Sequence, residues 1–147
     1  MEKEVLNKVL LDIESRVAEV CIIGLGYVGL PLAIECLNSG FKVKGYDILE
    51  SKVDLLKRGE SDILDVPAES VKKYIDSGTF TPTTDPSVIG DCSIVLICVP
   101  TPLDKTREPD MSYIINSLNV IKTHMRAGTL VVLESTTYPG TTEELIK

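Results

Sequence analysis

An α/β fold, a doubly wound parallel sheet with an extra N-terminal helix, is predicted by three observations. Strand-like runs at residues 19–23, 41–46, 93–99 and 130–134 alternate with stretches of helical periodicity. The run at 93–99 is almost continuously apolar, the pattern of a strand covered on both faces. A glycine-rich loop, Gly24-Leu25-Gly26-Tyr27-Val28-Gly29, follows the first run and opens directly into a helical pattern.

The elements follow in order. Val5, Leu6, Val9, Leu10, Ile13 and Val17 recur at helical spacing, which predicts an amphipathic helix over residues 4–17. Residues 19–23 form the first strand. The glycine loop leads into a helix through about Asn38, which Ser39-Gly40 ends. Residues 41–46 are the second strand, closing on Asp47. Short helices are predicted over 50–57, stopped by Arg58-Gly59, and over 68–75, stopped by Ser77-Gly78. Residues 79–83 read as a short strand. Pro100-Thr101-Pro102 terminates the strand at 93–99. Asp110 is placed to N-cap a helix from Met111 to about Met125. Residues 130–134 are the last strand. A new helix begins near Thr142, capped by Thr141 or Thr142.

The division expected is an N-terminal helical extension, residues 1–18, and one dinucleotide-binding domain, residues 19–147. The segment 143–147 is too short to be a stable final helix alone, so the chain reads as the first domain of something longer. A chain of 147 residues can bury roughly 70% of its unfolded surface. Its formal net charge of −7 disfavours nucleic acid and anionic membranes, which select clustered Lys and Arg. No apolar run approaches the ~20 residues of a membrane span, and no apolar segment of a secretory signal follows Met1-Glu2-Lys3-Glu4. A cytoplasmic protein is expected. The four cysteines, Cys21, Cys36, Cys92 and Cys98, form no C-x-x-C pair and read as buried free thiols.

The glycine loop stands where its chemistry requires: a strand before, a helix after, an acid at the end of the next strand. Gly24 permits the turn out of the strand, Gly26 lets a pyrophosphate approach the backbone, and Gly29 lets helix and strand pack closely. The first helical turn then offers N–H groups to the phosphates. Asp47, about 20 residues beyond the loop, can accept from the adenosine ribose hydroxyls and repels a 2′-phosphate. The expectation is a Rossmann-like fold holding NAD in preference to NADP, with the cation of Lys52 near the adenosine end. Two further strand ends carry hydroxyls: Thr101 between its prolines, and Ser135-Thr136-Thr137 after the last strand. Turn chemistry and helix capping account for such residues equally well. The single histidine, His124, falls late in a helix, as a helix-end or surface residue.

Taken together, these strings resemble the N-terminal domain of the UDP-glucose/GDP-mannose dehydrogenase family. The matching segments are the glycine loop with Leu30-Pro31-Leu32-Ala33, then Gly45-Tyr46-Asp47-Ile48, Val99-Pro100-Thr101-Pro102-Leu103, Glu108-Pro109-Asp110, and Glu134-Ser135-Thr136-Thr137-Tyr138-Pro139-Gly140-Thr141-Thr142-Glu143. Within the family the details are most like enzymes that oxidise UDP-N-acetylglucosamine or UDP-N-acetylmannosamine at C6. The resemblance implies oxidation of a sugar C6 alcohol to a carboxylate with two NAD, through a thioester on a cysteine. It implies that Tyr27 and Val28 bind pyrophosphate, that Asp47 binds the ribose, that Lys52 holds the place of a basic residue near the adenosine, and that Thr101 contacts the cofactor. Ser135 and Thr136 would lie near the nicotinamide, Thr136 helping to position the hydrolytic water. It also implies a UDP-sugar substrate and a homodimer or higher homo-oligomer for the full-length enzyme. The resemblance places the family's catalytic Gly-x-Cys string well past residue 147, and the one such string here, Gly90-Asp91-Cys92, only opens the run at 93–99, so the chain is expected to bind NAD without turnover. A self-contained NAD-binding regulatory module is the alternative.

Overall fold

The computed structural model describes residues 2–146. Five strands form one all-parallel sheet: β1 (Glu19–Ile23), β2 (Lys42–Tyr46), β3 (Phe80–Thr83), β4 (Ile94–Ile97) and β5 (Leu130–Leu133). Their spatial order is β3-β2-β1-β4-β5. The chain therefore builds outward from β1 to β3, returns across the sheet, and builds outward again through β4 and β5. That reversal leaves a crevice between the C-terminal ends of β1 and β4, the place where such sheets take ligands.

The sheet has a core on each face. Val20 and Ile22 of β1 point into one, with Val43, Ile94 and the buried faces of α2 (Gly29–Asn38), α3 (Glu50–Lys57) and α4 (Ala68–Asp76). Cys21 and Ile23 point into the other, with Tyr46, Val95, Ile97 and Ile121 of α5 (Ser112–His124). The period-two alternation of β1 thus feeds both layers. Fully buried side chains such as Ile22, Leu30, Leu56 and Ile97 each contribute about 2 kcal/mol of transfer free energy. Where β2 carries Lys44 among apolar neighbours, Asp91 and Glu19 meet its ammonium at 2.9 and 3.2 Å.

The strands at the two edges differ. On β3, Val43 N–H donates to Thr79 O and Asp47 N–H to Thr83 O, so the odd-numbered positions of β3 face β2. Pro82 then faces outward, at a position where it costs the sheet no hydrogen bond. On β5, Leu130-Val131-Val132-Leu133 carries no charge and no proline.

Helix α1 runs Glu2–Glu14, shorter than the predicted 4–17. The helix stops because Arg16 takes a left-handed conformation, φ 62, which continues no right-handed helix. Val17, predicted on the helix, lies past its end and is 70% exposed. Arg16 fastens the corner: its guanidinium donates to Ile13 O at 2.8 Å and Ser39 O at 3.1 Å, and lies 4.9 Å from the Phe41 ring centroid. Ile13 packs on the core, whereas Leu6, Leu10 and Leu11 remain exposed.

Two helix caps also differ from expectation. Helix α5 begins at Ser112, with Met111 rather than Asp110 at the boundary. The Asp110 carboxylate still serves the turn, accepting from Ser112 N–H at 2.9 Å. At the C-terminal end, Thr142–Ile146 forms a single π-helical turn. Thr141 does not cap it; its hydroxyl donates back to Tyr138 O at 2.8 Å, while Glu143 and Glu144 N–H donate to Gly140 O. The predicted helix reached Lys147, which lies outside the described residues. A 3₁₀ helix, Pro86–Asp91, was not predicted. It is set by local chemistry: the Asp85 carboxylate accepts from both the N–H and the hydroxyl of Ser87.

Candidate functional site

The crevice at the sheet's reversal is a cleft of about 670 Å³. Its floor is the glycine loop, which packing makes unforgiving at two points. A Cβ on Gly29 would lie 1.7 Å from Gly24 O, so only glycine brings α2 this close to the turn. Gly24 has φ +90, and its Cβ would meet Cys98 O of the neighbouring strand end at 2.8 Å. Gly26 is the opposite case: a Cβ there would meet nothing within 4 Å. The space over Gly26 is open, as a cradle for a pyrophosphate requires.

Beside that space, the N–H groups of Gly26, Tyr27 and Val28 have no acceptor among the described residues. They stand at the start of α2, where helical N–H groups are unpaired and the dipole favours negative charge. Pro31, in the first turn, has no N–H to leave unsatisfied. The side chains of Tyr27 and Val28 line the cleft, Tyr27 at 80% exposure. These features fit a bound dinucleotide phosphate.

Asp47 sits at the end of β2 facing the loop. One carboxylate oxygen accepts from Leu25 N–H at 2.9 Å and the other from Leu49 N–H at 2.9 Å. The carboxylate is thereby fixed between the glycine loop and the start of α3. Each oxygen retains a lone pair for a ribose hydroxyl. Lys52, on the first turn of α3, lines the same end of the cleft, and its ammonium is held by Asp62.

The hydroxyls at the other strand ends form a stitch between β4 and β5. Thr101 Oγ1 donates to Thr136 O at 2.7 Å, and Ser135 Oγ to Val99 O at 2.7 Å. Thr101, Ser135 and Thr136 lie together beyond these strands, but not among the residues that wall the cleft. The far wall, absent from the sequence reading, is α5. Tyr113, Asn116, Ser117 and Val120 line the cleft from it. Their spacing of three, four and seven marks one helix face, a signal present in the sequence but shared with any buried helix stripe. His124, the last residue of α5, stands outside the cleft.

All four cysteines are free; three are buried and Cys36 is half-buried. Cys98 lines the cleft, where burial and then the Glu134 charge push its thiol up to about 12. A raised pKa lowers the thiolate fraction: at pH 8 about one Cys98 in 10⁴ would be ionised, against roughly a quarter of ordinary thiols. Native protein at pH 8 is expected to alkylate at Cys98 with iodoacetamide at least about 100-fold more slowly than denatured protein, read by mass spectrometry. Rapid labelling of the native chain would contradict the assignment of this thiol as inert.

Comparison with known proteins places these features. The NAD binding domain of the UDP-glucose/GDP-mannose dehydrogenase family matches residues 18–147. UDP-N-acetyl-D-glucosamine 6-dehydrogenase of Pseudomonas aeruginosa is 34% identical over 126 residues, 86% of this chain and 29% of that protein. UDP-N-acetyl-D-mannosamine dehydrogenase of Escherichia coli K12 is 38% identical over 128 residues, 87% of this chain and 30% of that protein. Among solved structures, the UDP-D-ManNAc dehydrogenase of Pyrococcus horikoshii superposes with a TM-score of 0.82 at 34% identity, covering 86% of this chain and 30% of that one. The GDP-mannose dehydrogenase of Pseudomonas aeruginosa gives 0.81 at 31% identity, with the same shares. The chain spans less than a third of the length of each of these relatives.

Proposed function

Because this chain belongs to the UDP-glucose/GDP-mannose dehydrogenase family, whose NAD-binding domain it forms, we propose that it is the cofactor domain of a nucleotide-sugar 6-dehydrogenase. The reaction is oxidation of the C6 alcohol of a UDP-N-acetylhexosamine to the uronate in two steps. Each step passes a hydride to NAD; water supplies the second carboxylate oxygen. The observation that carries the reading is the cleft over the glycine loop, with open space at Gly26 and Asp47 fixed at one end.

In this reading residues 19–147 are the cofactor domain and residues 1–18 an added N-terminal extension. Gly24, Gly26 and Gly29 shape the phosphate cradle, and Tyr27 and Val28 flank it. Asp47 accepts from the ribose hydroxyls, and Lys52 stands beside them. Thr101 touches the cofactor on its way to the nicotinamide. Ser135 and Thr136 stand near the nicotinamide, with Thr136 positioning the hydrolytic water. Support for the last three is their grouping at the ends of β4 and β5, held by the Thr101–Thr136 and Ser135–Val99 bonds. The nucleophilic cysteine and the UDP-sugar site belong to parts of the full-length enzyme outside this chain, which is a homo-oligomer in the cytoplasm. No described helix is long and apolar enough to cross a membrane.

The 147-residue chain is expected to bind one NADH, at least about tenfold more tightly than NADPH, and to form no NADH from NAD and UDP-sugars. Fluorescence titration of both reduced cofactors and a 340 nm assay read these outcomes. Equal affinities would overturn the NAD preference, and turnover by the chain alone would overturn its assignment as a cofactor domain.

A further inference from the structure

Lys52 is the only cationic side chain lining the cofactor cleft among the described residues, and Asp47 the only anionic one. The Lys52 side chain is 12% exposed, and its Nζ lies 2.5 Å from both carboxylate oxygens of Asp62. Asp62 itself does not line the cleft. It stands behind the lysine, on the segment joining α3 to α4, with its side chain 46% exposed.

That segment is anchored on both sides of Asp62. Gly59, at φ +76, turns the chain where a Cβ would meet Lys72 Cβ at 2.9 Å. Ser61 and Ile63 exchange hydrogen bonds through the Ser61 hydroxyl, and Ile63 and Val66 are buried in the core below α3. Asp62 is therefore presented to Lys52 by a fixed backbone rather than by a free loop.

We propose that Asp62 is a specificity-determining positioning residue, which neutralises and holds Lys52 so that its ammonium does not serve a 2′-phosphate. The inference rests on the reading of this cleft as the NAD site. NADP differs from NAD by a phosphate on the adenosine ribose, the group Asp47 faces in that reading. A protein that accepts this phosphate supplies a cation there. Here the one available cation already contacts both oxygens of a carboxylate, which occupies two of its three N–H donors. Discrimination against NADP thus has two parts: repulsion by Asp47, and removal of the compensating charge by Asp62.

The test is the ratio of NADH to NADPH dissociation constants for the wild-type chain, Asp62→Asn, Asp62→Ser and Asp62→Glu. The two neutral variants are expected to keep NADH affinity within about threefold and to bind NADPH about tenfold more tightly. The gain should shrink in 0.5 M KCl, because it is Coulombic. Asp62→Glu should restore the wild-type ratio, and Lys52→Met added to Asp62→Asn should remove the gain. An unchanged ratio in the neutral variants, an equal loss for both cofactors, or failure of both to fold while Asp62→Glu folds would each overturn the role of Asp62. A wild-type chain that binds neither cofactor would instead overturn the reading of the cleft, which separates the two failures.

Discussion

Gly29→Ala is expected to lower stability by about 3 kcal/mol or more and to abolish NADH binding. The new Cβ would fall 1.7 Å from Gly24 O, 2.8 Å from Gly24 C and 3.2 Å from Cys98 Cβ. The first two are backbone atoms, so no side-chain rotation relieves the clash. Either α2 retreats from β1 or the turn at Gly24 opens. Overpacking a core with extra methylenes costs about 1–3 kcal/mol; a collision with backbone stands at or above that range. For a domain of this size the loss corresponds to a fall of about 10 °C in Tm. Thermal unfolding of the variant measures it, and a Tm within about 2 °C of wild type would contradict the close approach. Gly26→Ala separates packing from binding: its Cβ meets nothing, so the fold should persist while dinucleotide affinity drops.

Asp47→Ala is expected to weaken NADH binding by about 30-fold or more, and to cost about 1–3 kcal/mol of stability. The affinity loss has a direct part, the missing acceptor for ribose hydroxyls. It also has an indirect part. Leu25 N–H and Leu49 N–H both lose their acceptor, so the glycine loop and the start of α3 are no longer referenced to one group. Asp47→Asn should fall between, since a carboxamide has one acceptor oxygen and can serve one of the two N–H groups. Titration calorimetry and urea unfolding on the same samples distinguish the two contributions. An Asp47→Ala protein with wild-type affinity would remove this residue from the site.

The parts of this site legible in the sequence were those with local chemical punctuation. A strand, a glycine loop and an acid at the next strand end occur within residues 19–47, and each restricts the backbone on its own. Strands β1, β4 and β5 were legible for the same reason, as apolar runs bounded by Gly, Pro or Ser. The wall formed by Tyr113, Asn116, Ser117 and Val120 was not, because helical spacing tells which residues share a face but not what that face meets. Helix α1 shows the same limit. Its periodicity was plain, yet Leu6 and Leu10 are exposed while Ile13, near the end of the helix, is packed on the core. The ion pair of Lys52 with Asp62 joins residues on opposite sides of the turn at Gly59. Nothing in either residue's neighbourhood in sequence announces the other.

The unequal edges of the sheet give it a direction of growth. At β3 the outward row of donors is interrupted by Pro82, so a further strand meets a gap in the ladder. At β5 an uncharged, proline-free row with outward N–H and C=O groups stands ready for pairing. A strand paired with β5 would meet a complete ladder, whereas one paired with β3 would meet the gap at Pro82. The sheet is a template open on one side, and that side adjoins the Thr101–Ser135–Thr136 stitch rather than the adenosine end.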